Sequence, residues 1–497
     1  MSLFDRLFAT GLVLWFVSVY LFLIGHFGLL WGVFIVLPLA VALVVVAALL
    51  YPALPSLKDC GRWELLLLAC TVSFVLLVLP LVSTPPVSRD ALIHHLAVPK
   101  LYLEKGGIFE IPFMSFAYQP MNLDYLYLVP LYLGVDIAAK YIHASMGLLT
   151  AVLLYDFVKE RASALYGLLA ALLFLSTPVV VKLSASAYVD LGVTFYAVLS
   201  VVAFVRWMEE GKKRYLFFSA LAGGFSLGVK YNGAVVVFLL SMFVLLYSAR
   251  KKGQMAAIKD FGLYALVSSL PFLPYLVRNY IWVGNPFYPL IGGMVKGVEA
   301  LHTGGTLSPV EKRYVLFGED TLQILLVPFR MFFEGKDGSL QYFDGVLNPL
   351  FVALVPMLFL VRGKGQWFRY VAGFTVLYFY IAFFTTDLVV RYILPAFAGF
   401  IVLIAFAIKE GLVRKYTKHV TVVLLAVMFL FNLSYVYGMY VKQRPFGFIT
   451  GRETRDAYLM RMLPDYEAIL WANRNLPADA RVIFFFTGDR GYYWQRA

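Results

Sequence analysis

Charge is what this chain most lacks: 14% of its 497 residues are Asp, Glu, Lys or Arg, against about 25% in soluble globular proteins. Cysteine is nearly absent too. The two present, Cys60 in a short polar loop and Cys70 inside an apolar run, offer neither a disulfide framework nor a thiolate metal site. The six histidines are scattered, and no set of three or four ligands stands at a metal-binding spacing. No metal or other cofactor is required on this reading, and a divalent cation has no ligand set to support it. No Gly-rich loop carrying Lys and Ser/Thr follows a strand, so there is no nucleotide cradle. Fixed-period repeats and low-complexity segments are also missing.

What the chain has instead is apolar sequence. Hydrophobic residues make up 61%, in blocks of about 17–25 residues separated by short polar loops, the length needed to cross a bilayer as a helix. This predicts an all-α polytopic membrane protein and excludes a soluble core with one anchor. The net charge of +13 therefore says nothing of nucleic acid and is to be read by sidedness. The first block, from about Leu12, has Arg6 before it and no small-residue cleavage pattern, so it reads as a retained helix.

Thirteen spans are expected, near 9–25, 29–50, 64–82, 141–157, 163–180, 190–206, 215–229, 232–248, 260–277, 346–361, 369–386, 392–408 and 419–437. Segments 120–134 and 321–333 read as re-entrant or interfacial helices. Alternate loops hold the cations: Lys58 and Arg62; Lys159 and Arg161; Arg206 and Lys212 to Arg214; Arg250 to Lys252 and Lys259; Arg362, Lys364 and Arg369; Lys409, Arg414, Lys415 and Lys418. The positive-inside rule makes that side cytoplasmic. The N-terminus is then inside, and loops 83–140 and 278–345 and the tail 438–497 lie outside a plasma (inner) membrane. Residues 1–437 form the transmembrane domain. In the tail, Asp465 to Asn475 reads as an amphipathic helix and Ala480 to Phe486 as a buried strand, the start of a small α/β segment. It stops after one helix and one strand, which implies either a truncated segment or one that packs on the membrane part.

Isolated charges at a membrane rim are costly and tend to be functional. Asp90 opens the first outer loop, Asp190 lies at the outer end of the sixth span, Lys230 sits in an outer turn, Arg278 ends the ninth span and Arg391 starts the twelfth. All five share one face. A carboxylate that can accept a proton, beside cations that can neutralise a departing anion, suits transfer from a phosphate-activated donor. Each also has a bland reading. Asp90 and Asp190 would serve as helix caps, Lys230 and Arg278 as snorkelling end residues, and Arg391 as a partner of Asp387. His94 and His95 are adjacent and so do not share a helix face, which makes them a poor metal pair, though one can touch a ligand. The tyrosines 118, 125, 127, 132 and 188 fit an interfacial belt better than a sugar path.

The run Asp90-Ala91-Leu92-Ile93-His94-His95-Leu96-Ala97-Val98-Pro99-Lys100-Leu101-Tyr102, then Gly106 and Gln119-Pro120-Met121-Asn122, resembles the first outer loop of the GT-C superfamily of membrane glycosyltransferases. It is similar in particular to the bacterial protein O-mannosyltransferase-like branch. Tyr188-Val189-Asp190, Gly228-Val229-Lys230-Tyr231, Arg278-Asn279-Tyr280 with Gly284-Asn285-Pro286-Phe287-Tyr288-Pro289, and Arg391-Tyr392-Ile393-Leu394-Pro395 follow in the same order, as does a tail of the type Gly451 to Leu459. The resemblance implies a multi-pass enzyme that moves a sugar from a polyprenyl-phosphate carrier to an outer-face acceptor hydroxyl with inversion. It implies Asp90 as general base, Asp190 as its support, and Lys230, Arg278 and Arg391 as the phosphate pocket, with Tyr392, His94 and His95 contacting substrate. Many relatives carry a second acidic residue beside the first; here the neighbours are Ser88, Arg89 and Ala91. The partners implied are the lipid-linked donor, the acceptor and membrane lipid.

Two other classes share this outline. A transporter or lipid-linked glycan flippase has a similar span number but holds its charges near the midplane in repeated halves, which are not seen here. A ligase or polymerase using diphosphate-linked glycans keeps the face and the cations and changes the donor.

Overall fold

The structure, a computed structural model, describes residues 1–53, 60–290, 307–477, 480, 482–483 and 490–495. Its helices run in chain order as α1 Leu3–His26, α2 Val33–Leu50, α3 Arg62–Val82, α4 Ala97–Lys105, α5 Asn122–Tyr132, α6 Ile137–Arg161, α7 Ala164–Ser176, α8 Pro178–Ser184, α9 Asp190–Glu210, α10 Lys213–Val229, α11 Gly233–Lys252 and α12 Gln254–Ser269. The series continues with α13 Leu273–Val283, α14 Pro309–Phe317, α15 Thr321–Leu325, α16 Val327–Phe333, α17 Leu350–Leu354, α18 Gln366–Thr385, α19 Leu394–Val413, α20 Lys415–Gln443, α21 Pro445–Ile449, α22 Arg455–Met462 and α23 Tyr466–Asn475. No strand occurs among the described residues.

Among the described residues nine helices are long and apolar enough to cross a membrane, or up to eleven if each bent pair is one span. The expected count of thirteen is not reached by that measure. The segments expected at 163–180 and 260–277 are not straight: α7 and α8 meet at 67° and α12 and α13 at 58°. Pro178 and Pro271 stand at these breaks, where proline removes a helical hydrogen bond and clashes with the preceding turn. The segment at 215–229 is α10, of 17 residues, and that at 346–361 is α17 continued by a 3-10 turn over Val355–Leu360.

Helix α9 is the axis of the bundle. Every residue from Asp190 to Met208 is buried, although Ser200 and Thr194 lie within it. Both hydroxyls are satisfied: Thr194 donates to the Asp190 carbonyl, and Ser200 donates to the Ser219 carbonyl on α10. Helices α2 and α3, made almost wholly of aliphatic residues, are mostly exposed on their outer faces, as lipid contact allows. Glycine permits the tightest packing. A Cβ on Gly224 would come within 2.4 Å of the Ser268 carbonyl oxygen, so α10 and the end of α12 touch backbone to backbone.

The amphipathic helix expected at 465–475 is present as α23. The expected strand 480–486 falls largely outside the described residues, and Ala480, Val482 and Ile483 are not in a strand. The tail packs on the first loop through Leu92, Tyr458, Leu459, Leu463 and Tyr466, all buried in one apolar cluster.

Candidate functional site

The loop after α3 does not continue as an ordinary helix. From Ala91 to His95 it forms a π-helical turn, closed by the Leu96 N–H donating to the Ala91 carbonyl at 2.9 Å. Such wide turns insert an extra residue per turn and recur at functional sites. Asp90 precedes this turn and makes no capping hydrogen bond. Its carboxylate turns inward to Arg391, whose Nη2 donates to Oδ2 at 2.8 Å. The bland reading of Asp90 as a cap is therefore not met. Its backbone N–H donates to the Tyr188 hydroxyl at 3.3 Å.

Arg391 lies in a 3-10 turn over Val390–Ile393 that leads into α19. Its other terminal nitrogen, Nη1, donates to Asp344 Oδ2 at 2.9 Å, and its Nε stands 3.9 Å from Asp190 Oδ2, beyond hydrogen-bond range. One buried guanidinium thus faces three carboxylates from three distant stretches of chain. Lys230, at the end of α10, donates to Asp190 Oδ1 at 3.0 Å and lies 4.5 Å from the Tyr392 ring centre. Arg391 is 5.3 Å from the ring of Tyr188 and 5.1 Å from that of Tyr392. Asp387, the other suggested partner of Arg391, instead receives Lys312 at 2.6 Å.

Two residues of this cluster were not singled out in the sequence. Lys182, in α8, donates to Asp344 Oδ1 at 2.8 Å and pairs with Asp337 at 3.1 Å. A lone lysine within Pro178–Ser184 is a signal of the same kind as Lys230, and the bend between α7 and α8 is what carries it to the site. Asp344 had no signal in the long second loop. Burial pushes its carboxyl up, but the Lys182 ammonium and the Arg391 guanidinium hold it below the usual carboxylate range.

Asp190 does not act as a side-chain cap either, since Val189 occupies the cap position. It is set by His143 of α6, whose Nδ1 lies 2.9 Å from the Leu183 carbonyl and 2.8 Å from that of Ser186, while the Leu191 N–H donates to Nε2 at 3.0 Å. Those backbone partners require Nδ1 to carry the proton and Nε2 to accept. The ring therefore ties α8 to the start of α9.

His95 Nδ1 pairs with Asp124 Oδ1 at 2.7 Å, both buried. Burial raises the Asp124 carboxyl, against the lowering influence of His95. His94 stacks on Phe116, with centroids 4.2 Å apart and planes within 8°, and its Nδ1 has no partner among the described residues. Burial first, then the neighbouring His95, Lys230 and Arg391, push this imidazole well below its ordinary value. It is a neutral polar group beside a cationic cluster.

Arg278 stands apart from that cluster. It is buried in the middle of α13 rather than at a span end, held by Asn279 Oδ1 at 2.9 and 3.1 Å, the Gln119 carbonyl at 3.2 Å and the Tyr125 hydroxyl at 3.4 Å, between the rings of Tyr275 and Trp282. Among the described residues no carboxylate lies within ion-pair distance of it, so its charge is uncompensated. The tyrosines expected as a belt are mostly interior instead. Tyr118, Tyr125, Tyr127 and Tyr188 are buried; Tyr127 donates to the Tyr188 carbonyl, and Tyr118 donates to Glu110 at 2.6 Å. Tyr132 alone of the five is exposed.

Two residues beyond Arg391 an apolar cavity of about 200 Å³ begins, lined among others by Phe329, Phe332, Phe379, Ile393, Phe397 and Phe400. No group of three or more His, Cys, Asp or Glu with a metal-holding arrangement occurs among the described residues.

Residues 119–277 match the family model of dolichyl-phosphate-mannose-protein mannosyltransferase. They include Asp124, Lys182, Tyr188, Asp190 and Lys230. No curated protein matches the chain. Among solved structures the chain is similar to ArnT from Cupriavidus metallidurans bound to undecaprenyl phosphate, with a TM-score of 0.53 at 14% identity over 87% of this chain and 85% of that one. The apo state of the same protein gives a TM-score of 0.53 at 14% identity over 87% and 84%. The archaeal oligosaccharyltransferase AglB from Archaeoglobus fulgidus, in complex with an inhibitory peptide and a dolichol-phosphate, gives 0.44 at 14% identity over 88% of this chain and 60% of that one. The resemblance read from the sequence thus meets a family model over its central part and the fold of ArnT over most of its length.

Proposed function

We propose that the chain is a glycosyltransferase that moves a sugar from a polyprenyl-phosphate carrier to an acceptor hydroxyl, with inversion, at the extracytoplasmic face of the plasma (inner) membrane. The single observation that carries this reading is the convergence of Asp90, Asp190, Lys230 and Arg391 in direct contact at one end of the helix bundle. Loop 83–140, the α8–α9 turn, the α10–α11 turn and the start of α19 all supply that end.

In the proposed step the acceptor oxygen attacks C1 of the sugar, the bond from C1 to the phosphate oxygen breaks, and the electron pair leaves with the phosphate. Asp90 takes the acceptor proton. Arg391 offers a planar fork to the leaving phosphate and Lys230 a point charge, both suited to charge that grows in the transition state. A phosphate that takes over Nη2 of Arg391 frees the Asp90 carboxylate for the acceptor, while Asp344 keeps the guanidinium oriented. Asp190 holds Lys230 in place. Arg278, a cation without a counter-charge among the described residues, is available to the donor from the α13 side, and neutral His94 can bond a sugar hydroxyl whichever way that hydroxyl points. The apolar cavity lined by Ile393 and Phe397 suits the isoprenoid chain, which then need not leave the bilayer.

The reading is tested by purifying the protein with a polyprenyl-glycolipid extract of its native membrane and identifying the retained lipid by mass spectrometry. A retained polyprenyl-phosphate sugar, lost in Arg391→Ala, is the expected result. Retention of no polyprenyl lipid, or of a diphosphate-linked glycan alone, would overturn the donor assignment.

A further inference from the structure

The residues that bracket Asp90 are held from outside the bundle. Tyr493 donates its hydroxyl to the Pro86 carbonyl at 2.7 Å, four residues before Asp90. The Tyr492 backbone N–H donates to the Leu92 carbonyl at 3.1 Å, two residues after it. The tail segment that makes these bonds is itself anchored. Tyr492 donates its hydroxyl to Asp136 at 3.0 Å, and Arg455 pairs with the same carboxylate oxygen at 2.5 Å. Lys100 of α4 donates to the carbonyls of Tyr492 and Trp494. Asn473 donates to the Tyr493 carbonyl at 2.9 Å.

Asp136, at the start of α6, is buried, so the tail is fixed to the bundle and to the loop at once. The Leu92 side chain points into the tail cluster with Tyr458, Leu459, Leu463 and Tyr466. Burial raises both phenols, Tyr492 and Tyr493, above the usual tyrosine range, so both stay protonated donors at any working pH.

Among the described residues the Asp90 side chain has one hydrogen bond, to Arg391, and the proposed chemistry needs that bond to exchange when phosphate arrives. A carboxylate that gives up its one tether depends on its backbone for aim. We propose that Tyr492 and Tyr493 are positioning residues: they clamp the backbone on either side of Asp90 so that the carboxylate stays aimed at the acceptor once Arg391 turns to the phosphate. This rests on the reading of Asp90 as general base.

The test uses the full chain in lipid nanodiscs with the substitution Tyr493→Phe, which keeps the ring and deletes the bond to Pro86, and the pair Tyr492→Phe with Tyr493→Phe. Hydrogen exchange is read over residues 86–96, and release of free polyprenyl phosphate from a native polyprenyl-phosphate-sugar extract is followed by mass spectrometry. Exchange in 86–96 is expected to rise about tenfold while α6 and α9 keep their protection. The turnover number is expected to fall about tenfold at unchanged apparent KM for donor, because donor contacts are intact and only aim is lost. Unchanged exchange in 86–96 would overturn the clamp. Raised exchange with unchanged turnover, or an equal loss seen as a higher KM, would overturn positioning. Asp90→Asn separates the two readings: full activity in that variant overturns the base assignment on its own, whereas loss of activity there with no effect of the tyrosine changes overturns only the clamp.

Discussion

At the scale of single residues the site is a chain of charge exchanges centred on Arg391, and this sets what substitutions do. Arg391→Lys keeps the charge and loses the fork that reaches Asp90 and Asp344 together. We expect it to raise the apparent KM for donor about tenfold, the worth of one hydrogen bond between charged groups, read from initial rates over a donor titration. Lys182→Met acts through Asp344. In the native chain that carboxyl has a lowered folded-state pKa, so its contribution to stability is present above its unfolded value, about 4, and is lost as the pH falls through the lower folded value. Removing Lys182 takes away the cation that does most to hold the pKa down. Acid unfolding followed by tryptophan fluorescence should therefore begin at a higher pH in the variant, with little change near pH 7 beyond the lost pairs with Asp344 and Asp337. Asp190, Lys230 and Arg391 were legible because each is a lone charge at the edge of an apolar run, and Asp90, beside Arg89, because it opens the first outer loop. Asp344 was not, since a carboxylate in a long polar loop looks like any solvated one. Asp124 and His143 were hidden for another reason: their partners are a histidine and backbone groups that only folding brings near.

At the scale of elements the apolar runs marked the long helices but not their shape, and gave no sign of α14, α21 or α22. The hydrophobic pattern of 163–180 and 260–277 continues through Pro178 and Pro271, so periodicity alone reads each as one straight span. The chain bends at both, and the bends carry Lys182 towards Asp344 and Arg278 to the edge of α5. The π-helical turn at Ala91–His95 is likewise invisible to a 3.6-residue period. Gly224 in α10 brings that helix into backbone contact with Ser268 at the end of α12. Gly224→Ala places a methyl group where the Ser268 carbonyl already sits, so α12 must move. We expect a loss of about 1–3 kcal/mol, the usual range for overpacking, measured as a lower midpoint of thermal unfolding in detergent. Gly438→Ala has nothing within 4 Å of the added Cβ and should leave the midpoint unchanged or slightly higher.

At the scale of the whole molecule one end of the bundle holds the charged chamber, and the tail closes over the loop that carries Asp90. The alternation of basic loops assigned Asp90, Asp190, Lys230 and Arg391 to one face of the bilayer, and these four side chains meet at one end of the bundle. The fold of the tail was only half legible: α23 carries an amphipathic pattern, whereas the contacts of Tyr492 and Tyr493 with Pro86 and Leu92 join residues some four hundred positions apart and leave no local pattern. The most direct measurement of the central claim is a single-turnover reaction of Asp90→Asn, with donor binding quantified on the same sample. The account predicts donor retention close to that of the native chain with sugar transfer slowed at least about a hundredfold, the lower bound for loss of a general base. Transfer at the native rate with donor bound would contradict it.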